Sequence, residues 1–98
     1  MAKETLSDDV VAIIRDVLQQ ELKPFGLGDV EIAAGPDHDG EPSILIDVRY
    51  ENDDRPIDPK VVGGLTTKLR DRLWEKGEER FPYVHHHFAA HRKVVGYR

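Results

Sequence analysis

Two hydrophobic rhythms, helical and alternating, share out this chain in five segments, and their order predicts the fold. Val10, Ile13, Ile14, Val17, Leu18 and Leu22 recur at the spacing of one helical stripe. Thr5 and Ser7 are suitable N-caps, and Asp8 and Asp9 place negative charge where the helix dipole favours it. Lys23-Pro24, then Gly26 and Gly28, mark the end of that helix. Val30, Ile32 and Ala34 alternate with acidic residues and predict a short half-buried strand. The stretch Gly35 to Pro42 is turn chemistry throughout. A second, clearer strand follows, with Ile44, Ile46, Val48 and Tyr50 on one face and Leu45, Asp47, Arg49 and Glu51 on the other.

Asn52 to Pro56 reads as a polar loop, and Asp58-Pro59 as the N-cap and first residue of a second helix. Val62, Leu65, Leu69 and Leu73 form its stripe, with Trp74 at the flank and Gly77 in the C′ position. Gly63-Gly64 interrupts the pattern. Each mid-helix glycine costs about 1 kcal/mol relative to alanine, so the pair predicts an irregular early turn or close packing on that backbone. Phe81 to Phe88 predicts a third strand, and the tail from Ala89 to Arg98 is patternless apart from a possible short pairing at Val94-Val95.

The order helix, strand, strand, helix, strand predicts an α+β two-layer sandwich, with two helices on one face of a three-stranded sheet. The β-α-β connection predicts a right-handed crossover that lays the third strand parallel to the second. A chain of 98 residues supports one domain over 1–98, with 1–6 and 92–98 expected to be flexible. Period two splits the third strand into Phe81, Tyr83, His85 and His87 on one face and Val84, His86 and Phe88 on the other. The second set is expected to face the helices, because burying both His85 and His87 would require partners for two polar rings. Leu45, Asp47, Arg49, Tyr83, His85 and His87 then share the uncovered face as a candidate interaction surface.

Composition narrows the chemistry. The 39% hydrophobic and 34% charged content describes a globular chain. The absence of cysteine excludes disulfides, thiolate zinc sites and cysteine nucleophiles. The polar, acidic start lacks a secretory h-region, and no apolar run approaches bilayer length, so a cytoplasmic protein without a membrane partner is expected. The net charge of −5 hides an asymmetry of −9 over residues 1–60 and +4 over 61–98.

Histidine is the residue of interest, as a titratable group and as a common metal ligand. His85 and His87, two apart on one strand, could converge on one ion such as zinc, with Asp47, His38 or His91 as a third ligand. Asp37-His38-Asp39-Gly40-Glu41 resembles a calcium loop superficially, but its terminal glutamate is at the wrong spacing, and a hairpin turn accounts for it better. Ser7 and Ser43 lack a nucleophile-elbow context, and the segment from Gly63 to Lys68 lacks the Gly-x4-Gly-Lys spacing of a phosphate loop. No catalytic residue is assigned, and no cofactor beyond possible zinc. Lys68, Arg72 and Lys76 form a basic stripe at i, i+4, i+8 that could meet nucleic-acid phosphates, although the same helix carries enough acids for a salt-bridged face and the chain's first half is acidic.

One resemblance bears on partners. Asp37-His38-Asp39-Gly40-Glu41-Pro42-Ser43-Ile44-Leu45, Ile57-Asp58-Pro59, Leu69-Arg70-Asp71-Arg72-Leu73 and Gly77-Glu78-Glu79-Arg80-Phe81-Pro82 together resemble a group of small bacterial proteins of unknown function, some encoded beside toxin-like or nuclease-like partners. The resemblance implies an accessory or antitoxin-like role, and His85 and His87 lie outside it. The pattern as a whole predicts a non-enzymatic protein-interaction module that binds a protein partner or itself as a homodimer.

Overall fold

In a computed structural model, residues 5–51 and 58–87 are described. The polar loop, Phe88, His91, the Val94-Val95 pairing and most of the two ends expected to be flexible lie outside them. The elements are α1 (Asp8–Leu22), a 3-10 turn (Lys23–Phe25), β1 (Leu27–Pro36), β2 (Pro42–Tyr50), α2 (Pro59–Glu75) and β3 (Phe81–His87). This is the predicted α-β-β-α-β order.

Both helices begin at the expected caps. The Ser7 hydroxyl accepts from the Val10 amide at 3.2 Å, and the Asp58 carboxylate accepts from the Lys60 amide at 2.9 Å. α2 closes with paired bonds from Gly77 N to Trp74 O and from Glu78 N to Leu73 O, with Gly77 at φ 86°. That double bond pattern needs a left-handed residue at its corner, which glycine adopts without a Cβ clash.

The sheet order is β1-β2-β3. β1 pairs antiparallel with β2, bringing Ile32 opposite Ile46 and Ala33 opposite Leu45. β3 pairs parallel with β2, bringing Val84 beside Ile46 and His85 beside Asp47. Every second residue of β2 (Ile44, Ile46, Val48 and Tyr50) is buried in one cluster with Val10, Ile14, Val17, Leu18 and Leu22 of α1 and Leu65, Leu69 and Leu73 of α2. Each such aliphatic side chain contributes about 1.5–3 kcal/mol through water exclusion. The helices therefore cover one face, and no other described element covers the reverse.

Four local expectations change. β1 is longer than the alternating Val30–Ala34 segment, because its glycines lie inside the strand instead of ending it. Gly28 sits at a register shift where a Cβ would lie 2.9 Å from the Arg49 carbonyl oxygen, so only glycine fits that crossing. The turn between β1 and β2 contracts accordingly to residues 37–41. Gly63 and Gly64 neither distort α2 nor permit close packing: the helix is continuous, and a Cβ on either meets nothing within 4 Å among the described residues. Val61, in place of the predicted Val62, packs against the core with Leu65, Leu69 and Leu73, and Leu6, within the end expected to be flexible, packs there too.

Candidate functional site on the uncovered sheet face

The parallel register of β2 and β3 builds the site. Because the two strands are in step, the odd-numbered residues of both point to the uncovered face: Leu45, Asp47 and Arg49 from β2, and Phe81, Tyr83, His85 and His87 from β3. The orientation of β3 is set just before it starts. Glu78 accepts from the Arg80 guanidinium at 2.8 and 2.9 Å and from the Arg80 backbone amide at 2.9 Å. This two-pronged bond fixes the tight connection from α2 into the strand. The Arg80 guanidinium holds the Glu78 carboxyl below its ordinary pKa, outweighing the opposing effect of burial.

Asp47 stands at the centre. Its Oδ1 lies 2.8 Å from His87 Nε2, a hydrogen bond, and 3.8 Å from His85 Nδ1. The two imidazoles are 4.4 Å apart between ring centroids. One ligand atom from each of Asp47, His85 and His87 lies within 4.8 Å of the others. The His85 side chain is 75% exposed, and those of His87 and Asp47 about a third.

His86 has the opposite fate. It turns beneath the helices, where its Nδ1 lies 2.7 Å from the buried Tyr50 hydroxyl and its ring stacks on that of Tyr50. Burial lowers its pKa, and the neighbouring imidazoles of His85 and His87 push the same way. A polar ring is tolerated here because it has a partner.

At the other end of the face, Phe81 and Tyr83 pack at 4.8 Å between centroids and are 38% and 39% exposed, with the Arg70 guanidinium 5.8 Å over the Phe81 ring. The hairpin turn leans against them. Asp37 accepts from the amides of Asp39 and Glu41 and from the Tyr83 hydroxyl at 3.2 Å. The Glu41 amide bond is the largest influence holding the Asp37 carboxyl below its usual pKa, and desolvation, followed by the bond to Asp37, raises the Tyr83 pKa. Both carboxylate oxygens of Asp37 are thus engaged, one by the turn's own amides and the other by Tyr83.

The face brings together all six predicted interaction residues: Leu45, Asp47, Arg49, Tyr83, His85 and His87. His38 stays in the hairpin beside Asp39, with its side chain 83% exposed. Sequence patterning did not single out Phe81, although period two already placed it on this face. It also missed Glu31, which only the strand register reveals: Glu31, Asp47 and His85 are successive partners in one row across all three strands. The basic stripe lies elsewhere and is paired. Lys68, Arg72 and Lys76 face Glu21, Asp16 and Asp9 of α1 at 3.0, 3.5 and 3.9 Å. Among the described residues no helix is long and apolar enough to cross a membrane. Comparison of the chain with family models, with curated proteins and with solved structures finds no match.

Proposed function

We propose that this protein is a non-enzymatic interaction module of the cytoplasm that pairs with a second copy of itself through the uncovered sheet face. One observation carries the proposal: that face combines exposed aromatics with neighbouring charges of both signs. Phe81 and Tyr83 present apolar surface that water solvates poorly, beside the half-buried Leu45. Next to them, Glu31 and Asp47 supply negative charge and Arg49 positive charge. A two-fold axis sets one patch against its own copy, so a surface bearing both signs side by side satisfies itself. The basic stripe of α2 supports a nucleic-acid role less well, because its three cations already meet carboxylates of α1.

Light scattering after gel filtration tests this. The wild-type chain is expected to elute as a dimer at about 100 µM, well above the micromolar dissociation constants of modest interfaces. Phe81→Asp should give a monomer with an unchanged far-ultraviolet spectrum. A monomeric wild type, or a dimer indifferent to Phe81→Asp and to Arg49→Asp, would overturn the proposal.

A further inference from the structure

The geometry of Asp47, His85 and His87 points to a second property, which needs no partner: these three side chains bind one divalent cation of the zinc class within a single chain, leaving the remaining coordination positions to water. Zinc holds imidazole nitrogens and carboxylate oxygens at about 2.0–2.2 Å, so ligand atoms in a tetrahedral shell stand about 3.3–3.5 Å apart. The two separations from Asp47 Oδ1, 2.8 Å to His87 and 3.8 Å to His85, bracket that value. The three ligand atoms all lie within 4.8 Å of one another, so closing on an ion asks for ring movements on the order of an ångström.

The donors sit on regular paired strands, not on a loop, with Asp47 beside His85 and Arg49 beside His87 in the ladder. Their positions are thus fixed by backbone hydrogen bonds before any ion arrives. Two imidazoles and one carboxylate suit zinc, cobalt, nickel or copper, and suit the harder magnesium and calcium poorly. Glu31 adds a further acid to the row, while Arg49 opposes a cation from the same face. In a purely structural role, His87 and Asp47 would form a hydrogen-bonded pair and the mostly exposed His85 would be dispensable. In a metal site His85 is a ligand, and its removal is felt.

The test is calorimetric titration of the full chain, stripped with a chelator, using zinc alone, with cobalt absorption as a second readout. We expect one ion per chain with a dissociation constant of about 1 µM or tighter, and no displacement by millimolar magnesium. His85→Ala should weaken binding by at least about tenfold, which is 1.4 kcal/mol, and the His85→Ala, His87→Ala double variant should abolish it. Because the His85 side chain is 75% exposed, its removal leaves the packing intact, so the single variant separates ligation from folding. His38→Ala should bind as the wild type does. Binding that persists in the Phe81→Asp variant separates this site from the pairing surface. Absence of saturable binding, affinity unchanged by His85→Ala, one ion per two chains, or loss of binding in Phe81→Asp would each overturn the inference.

Discussion

The two faces of the sheet use the same backbone and nearly the same residues in sequence, yet they obey different rules. On the covered face, Ile46 and Val48 are buried among aliphatic side chains of both helices, and even a histidine must find a partner. On the uncovered face one residue away, Asp47 and His85 keep contact with water, and Asp47 hydrogen-bonds to the neighbouring His87. Shape governs the first face and charge the second. A residue's role here is set less by its type than by the parity of its position.

Substitutions in register separate the two rules. The largest effect is expected at the centre of the covered face. Ile46→Ala should destabilise the fold by about 2–5 kcal/mol in denaturant titration, because it opens a cavity, whereas Leu45→Ala should cost less than about 1 kcal/mol. Near-equal losses in protein dilute enough to be monomeric would mean that the reverse face is covered within a single chain. The histidines repeat the contrast on a smaller scale. His86→Ala removes a partner of a buried hydroxyl and should cost about 1–3 kcal/mol, while His85→Ala in metal-free buffer should stay within about 0.5 kcal/mol of wild type.

The outward side of α2 extends the comparison with a change of sign. Gly63 is exposed and a Cβ there touches nothing described, so Gly63→Ala should stabilise the protein by about 1 kcal/mol in thermal unfolding. A loss would show that another segment packs on that backbone. The smallest effect concerns acid. Glu78 has a lower pKa folded than unfolded, so its contribution is complete above the ordinary carboxylate pKa and disappears as pH falls through the folded value. Glu78→Gln should therefore flatten the acid limb of the stability profile and leave its neutral plateau lower. An acid limb identical to wild type would sink that assignment.

Much of this was readable in the chain, for physical reasons that differ by element. The alternation of Ile44 through Tyr50 and the stripe Leu65, Leu69, Leu73 name their own buried faces, since each period belongs to one backbone geometry. Solvation alone placed His85 and His87 outward and His86 inward. Glycine was harder to interpret: Gly28 marks a crossing inside a strand and Gly63-Gly64 sits in a regular helix, although both sequences look like breaks. The row Glu31, Asp47, His85 could not be seen at all, because it depends on how three distant segments align, which no single segment encodes. The pairing of Lys68, Arg72 and Lys76 with α1 was hidden for the same reason.

The connection between α2 and β3 acts as a counter. Gly77 through Arg80 delivers the chain so that Phe81 falls beside Ser43, and everything after it follows by odd and even. One residue inserted there would advance the tract by a single step, moving His86 into the open and forcing both of its neighbours under the hydrophobic roof. A mutation far from any imidazole could thereby erase the cluster without altering a single member of it.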